Sequence, residues 1–200
     1  DVYKRQYLLS TLTGIFIFSL IGQGCQSGKK SNKQANPSEQ TSSQILQIDD
    51  LLGKAETLNG QEIEAEGVCT HICAHGGGKI FLMGSNDTQT IRVEAGEKIG
   101  SFKQETVNNI VRVKGTLVED RIDEAYLAQW EEMLKSQTAP KHGNDEAGCS
   151  SEQKAQGETM ATTQQERIEN FRKRIAERKE KEGKDYLSFY HIEADTYTIL

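Results

Sequence analysis

Between positions 69 and 75 the chain reads Cys69-Thr70-His71-Ile72-Cys73-Ala74-His75, a thiol or an imidazole at every second residue. Thiolate and imidazole are the donors that zinc and copper sites use. Alternate residues of an extended strand share a face, and neighbours two apart stand about 7 Å apart at a rise of about 3.4 Å per residue. One ion can therefore bridge Cys69 and His71, or His71 and Cys73. By the same rise Cys69 and Cys73 lie about 13 Å apart, too far to share an ion or to form a disulfide. A four-ligand site needs the strand to break at Gly76-Gly77-Gly78, or needs Cys149 or His142 to fold back. The candidate metal ligands are thus Cys69, His71, Cys73, His75 and Cys149, with zinc or copper as the ion. The spacing fits no standard zinc-finger framework.

Strand parity decides whether this row is a site. Ile63 and Ala65 mark the inner face of the strand that leads into it. An unbroken strand carries Cys69, His71 and Cys73 inward, and the cysteines are then small core residues. A bulge at Gly67 reverses the parity, places Val68 and Ile72 inside and turns the Cys/His row outward. Burying unpaired histidines is costly, so the outward row is the expected arrangement.

Other catalytic patterns are missing from the sequence. Gly76-Gly77-Gly78-Lys79 lacks the spacing of a phosphate-binding loop, and no serine sits in a nucleophile elbow. Asp120, Asp123 and Glu124 precede a helical pattern, where the helix dipole alone favours carboxylates. No catalytic residue is assigned, and a non-enzymatic protein is expected.

A fourth cysteine has a different setting. Residues 7–21 are an apolar run preceded by Lys4 and Arg5 and followed by Gly22-Gln23-Gly24-Cys25. A basic start, a short apolar run and small residues before a cut describe an export signal, and the run is shorter than the roughly 20 residues of a membrane span. The segment resembles a bacterial lipoprotein signal, in which the cysteine is acylated and begins the mature chain. Gly22 stands where a Leu-like residue is usual, a departure that the looser signals of Bacteroidetes-type lipoproteins tolerate. The resemblance implies lipidation of Cys25 and a lipid-anchored protein of the cell envelope. Cys69, Cys73 and Cys149 then remain, an odd number that cannot close into disulfides completely.

Composition sets the frame for these residues. Apolar residues are 35% of the chain, with a net charge of −6. This leaves one small core with long solvated stretches. Between Ile45 and Leu134 carboxylates are twice as numerous as Lys and Arg, which argues against a phosphate-backbone partner.

The expected organisation is a signal over residues 1–24, its first residues foreign to the signal, and a flexible tether over 25–44. The tether lacks an acidic cluster of the kind that resembles a surface-export signal, so the periplasmic side is expected. A barrel with a flanking helix follows over 45–135, then a polar linker over 136–160. A charged helix and aromatic tail over 161–200 pack on the barrel. Period-two alternation marks strands in Glu62-Ile63-Glu64-Ala65-Glu66, Lys79 to Met83, Gln89 to Glu94 and Asn109 to Val118, with a bulge at Gly115. Tyr126, Leu127, Trp130 and Leu134 form a helical stripe, as do Ile168, Phe171 and Ile175. Tyr186 to Ile192 is too apolar to stay free and is expected to cover an exposed barrel edge.

Ile63-x-Ala65-x-Gly67-x-Cys69, Lys79-x-Phe81-Leu82, Ile91-x-Val93 and Val111-x-Val113-x-Gly115-x-Leu117 together resemble an OB-fold. That family is a five-stranded Greek-key barrel in which a glycine lets the long first strand curl between both halves. The chain as a whole resembles Bacteroidetes lipoproteins carrying an OB-fold domain. The expected fold is mainly β, an OB-like barrel with accessory helices. The expected function is an envelope binding module for a metal ion, a small ligand or an envelope protein. The competing functions are nucleic-acid binding, as in many OB-folds, and thiol redox chemistry by Cys73 or Cys69 with Cys149.

Overall fold

The computed structural model describes residues 44–73, 76–136 and 146–200. The signal with Cys25, nearly all of the tether, His75 and His142 lie outside the described residues. Strands β1 (Leu46–Gln47), β2 (Glu62–Ile72), β3 (Lys79–Met83), β4 (Thr90–Ala95), β5 (Ile110–Asp123) and β6 (Tyr186–Ile199) form one sheet. Its order is β1-β2-β3-β4-β6-β5, and β2 also pairs with β5. That last pairing closes β2, β3, β4, β6 and β5 into a barrel, with β4 and β6 parallel. This is an OB-like barrel.

Alternation builds its interior. Ile63, Ala65, Ile80, Leu82, Ile91, Val93, Val111, Val113, Leu117 and Ile192 are all buried in one core. Helix α1 (Ile48–Gly53) adds Ile48 and Leu51 to the same core, both fully buried. Asp49 ties this helix to the end of β3 by accepting from the backbone N–H and hydroxyl of Ser85 at 2.9 and 2.6 Å. Gly67 is required where α1 crosses β2. A Cβ there would lie 2.6 Å from Ile48 Cγ1 and 2.8 Å from the Met83 carbonyl oxygen.

The fifth barrel strand is the C-terminal segment. β6 runs to Ile199 and inserts between β4 and β5, pairing with β5 from Tyr186 opposite Asp123 to Ile199 opposite Val111. The barrel is therefore incomplete at residue 135, the boundary expected from sequence. Polar Glu193, Thr196 and Thr198 obscured so long a strand, because they are exposed and interleave with Ile192, Ala194 and Tyr197 of the barrel core. The register does shift beside Gly115, but Lys114 pairs with Thr196 and Gly115 with Ala194, so the extra residue is Asp195 of β6 and not the bulge in β5 expected at Gly115.

The β5–β6 connection carries helices α3 (Glu124–Lys135), α4 (Ser150–Ala155) and α5 (Gln164–Glu182), while the short α2 (Ala55–Leu58) follows α1. Asp123 caps α3 by accepting from Tyr126 N–H at 2.8 Å. Thr163 caps α5, and Gly183 ends it at φ 71°. Ile168, Phe171 and Ile175 of α5 meet Leu127 of α3 and the far ends of β5 and β6, Ile122 and Leu187, in a second core. Residues 146–160 are not a bare linker. They hold α4, whose buried Gln153 accepts from Ala161 N–H at 2.8 Å, so a largely polar sequence packs through a buried amide.

Candidate functional site

The Cys/His row is split. Cys69 pairs with Leu82 and His71 with Phe81, so the bulge falls at Thr70 and not at Gly67. Cys69 therefore keeps the inward parity of Ile63 and Ala65. It is fully buried in the barrel core, and its thiol donates to the His71 carbonyl at 3.6 Å. Burial pushes that thiol's pKa up. The parity reverses only beyond the bulge, where Ile72 packs against the core and His71 lies against the Phe81 ring at 5.9 Å. Among the described residues, no three His, Cys, Asp or Glu side chains gather as a metal ion would require.

His71, Phe81, Arg92 and His191 stand opposite one another on β2, β3, β4 and β6. Cross-strand partners share a face, so these four form a row on the outside of the barrel. Phe81 is nevertheless 1% exposed, because the helices of the β5–β6 connection lie over it. A cavity of about 240 Å³ remains between strands and helices. Cys73, Lys79, Phe81, Arg92 and Ile122 line its barrel side. Tyr126, Trp130 and Met133 come from α3. Ala147, Gly148 and Cys149 come from the segment before α4 and Glu152 from α4 itself, with Gln156 just past its end. Gln164, Arg167 and Phe171 come from α5.

Two of the candidate ligands, Cys73 and Cys149, thus meet at one cavity, although they belong to different connections of the barrel. Both are half-buried and both are free thiols. Cys73 is held in the β2–β3 turn, where its N–H donates to the Lys79 carbonyl at 2.8 Å and its carbonyl accepts from Gly77 N–H at 3.2 Å. Cys149 precedes α4, its carbonyl accepting from Gln153 N–H at 3.2 Å.

The charged walls are paired from behind. Arg92 donates to Glu152 on α4 and to Asp120 on β5 at 2.7 Å. Its Nε lies 3.1 Å from Glu94 Oε1 but is not aligned for a hydrogen bond. Lys79 reaches the same Glu94 oxygen at 3.1 Å. Burial alone would raise the Glu94 carboxyl, but Arg92 and Lys79 outweigh it and hold the pKa low. Arg167 donates to both oxygens of the fully buried Glu158 at 2.9 and 2.6 Å, and to the Ala147 carbonyl at 3.1 Å. Burial pushes Glu158 up in spite of that pairing. The Arg167 guanidinium lies over the Trp130 ring at 5.3 Å, and Trp130 Nε1 donates to Gln164 at 2.8 Å.

The cavity therefore combines aromatic walls, cations, one carboxylate and two thiols. Sequence reasoning identified the thiols and read Tyr126 and Trp130 as a helix face. It did not assign Lys79, Arg92, Glu152 or Arg167, whose only signal was that charged residues recur on strands and helices that must pack. No known protein family and no curated protein matches the chain.

Proposed function

We propose that this protein is a lipid-anchored, periplasm-facing OB-fold module that binds a small molecule of about amino-acid size and is not an enzyme. The cavity supports this reading most directly. OB-folds bind ligands on the face of their second and third strands, flanked by the first hairpin turn and the last connection. Here Phe81 and Arg92 lie on those strands, Cys73 and Lys79 flank that turn, and α3, α4 and α5 form that connection. An oligonucleotide needs this face as an open, cationic groove. In this chain helices lie across it, and the acidic balance of the sequence opposes phosphate. A volume of about 240 Å³ falls below the roughly 300 Å³ where drug-sized pockets begin. Cations beside Glu152 suit a zwitterion, and the rings suit an apolar side chain. The anchor rests on the segment before Cys25.

Trp130 is the single tryptophan and lines the cavity, so its emission reports occupancy. 4-Iodophenylalanine is expected to quench it saturably through the heavy atom, and the cavity-filling Cys149→Phe to weaken that binding at least ~10-fold, about 1.4 kcal/mol. Oligothymidylate is expected to leave the emission unchanged. Purely collisional quenching that Cys149→Phe does not alter, or tight salt-sensitive oligothymidylate binding, overturns the reading.

A further inference from the structure

We propose that Cys73 and Cys149 form a thiol pair that exchanges with a small, amino-acid-type disulfide admitted to the cavity. The inference rests on the cavity being a ligand site and names the class of ligand. Of the chain's cysteines, Cys25 belongs to the lipid signal and Cys69 is sealed in the barrel core. The other two are half-buried, free and on the walls of one cavity. Chain contacts do not explain that convergence. Cys73 is fixed by the β2–β3 turn and Cys149 by the first turn of α4, each through its own backbone hydrogen bonds. The export signal places them in a compartment where disulfides form and persist.

The walls define the disulfide. Lys79, Arg92, Arg167 and Glu152 line the same cavity as the thiols, a mixture that complements a carboxylate and an ammonium on one molecule. The volume of about 240 Å³ accommodates an amino-acid disulfide such as cystine and is too small for a tripeptide disulfide.

The exchange is balanced without a further oxidant. One protein thiolate attacks a sulfur of the incoming disulfide. The disulfide's S–S bond breaks, a mixed disulfide forms and one small thiolate leaves. The second protein thiolate attacks the protein-side sulfur, the Cys73–Cys149 bond forms and the second small thiolate leaves. Two protein thiols are oxidised, one disulfide is reduced to two thiols, and the protons lost by the cysteines go to the leaving thiolates. The new bond brings the two Cα atoms within about 7 Å and fastens α4 to the β2–β3 turn.

The test is made on the reduced full chain carrying Cys25→Ala, which removes the unrelated thiol. Cystine is added anaerobically, and intact mass is followed together with Trp130 emission. The protein is expected to lose two hydrogens and release two equivalents of cysteine. Cys73→Ser and Cys149→Ser are expected to stop at a stable cysteine adduct, and Cys69→Ser to oxidise like the parent. Hydroxyethyl disulfide, which lacks both charges, is expected to react at least ~10-fold more slowly. The parent's mass change is the primary readout and needs no cysteine-pair variant to fold. A parent that ends as an adduct or does not react, or equal rates with the two disulfides, overturns the proposal. If 4-iodophenylalanine still binds while cystine is inert, only the thiol pair falls. If neither enters the cavity, the ligand-site reading falls as well.

Discussion

His191 and Asp120 meet across the β5–β6 pair, with Nδ1 2.8 Å from Oδ2, and that same oxygen accepts from Arg92 at 2.7 Å. His191 is 5% exposed. The second hand of Arg92 holds Glu152 on α4. One guanidinium therefore joins β4, β5 and α4 beneath the cavity.

Removing it should loosen α4. Arg92 and Glu152 side chains are 14% and 16% exposed, and breaking a buried pair leaves uncompensated charge worth about 3 kcal/mol. Arg92→Ala is expected to lose about that much in urea unfolding. Asp120 is 42% exposed, so solvent screens it, and Asp120→Asn is expected to cost only about 1 kcal/mol. Equal losses for the two variants would mean that Arg92 does not act as the joint.

Gly115 is expected to tolerate no side chain. A Cβ there would stand 2.1 Å from the Glu193 carbonyl oxygen and 2.7 Å from Ala194 Cα, both backbone atoms of the paired strand. Gly115→Ala should cost about 3 kcal/mol. Gly53 is the control, since a Cβ added to it would meet nothing within 4 Å, and Gly53→Ala should change stability by less than about 1 kcal/mol. Thermal unfolding of both variants compares them directly.

The barrel was legible because alternation is a local signal. Ile63 and Ala65, or Val111 and Val113, declare an inner face within a few residues. The division of the Cys/His row was not legible, because the position of the bulge depends on which β3 residues pair with Cys69 and His71. That pairing is a property of two strands and leaves no mark in one. The cavity was hidden for a related reason. It exists only because the β5–β6 connection folds back over Phe81, and α4, which brings Cys149 and Glu152, packs through Gln153 and Arg92 instead of an apolar stripe.

The proposed lipidation of Cys25 gives a separate prediction. An export signal ending in an acylated cysteine requires that residue and tolerates loss of the other three. Metabolic labelling with an alkyne fatty acid is expected to mark the protein, and Cys25→Ala to abolish the label. A labelled Cys25→Ala protein would contradict the assignment.

Acid should release α5 from α3 through one carboxylate. Arg172 grips both oxygens of Glu131 at 2.6 and 3.0 Å and also donates to Glu124 at 2.7 Å. The Arg172 hydrogen bonds lower the Glu131 pKa from 4.5 to about 2. A carboxyl with a folded pKa below its unfolded value binds more protons when unfolded. Its stabilising contribution is then complete above about 4.5 and disappears as pH falls toward about 2. Glu131→Gln is therefore expected to unfold a few degrees lower than the parent at neutral pH, with the difference shrinking through that window and vanishing below it. Salt should shrink the difference as well, because the two side chains keep 33% and 22% of their surface exposed and the pair is partly screened. A difference that stays constant from neutral pH down through that window would assign the loss to packing of the side chain and not to its charge.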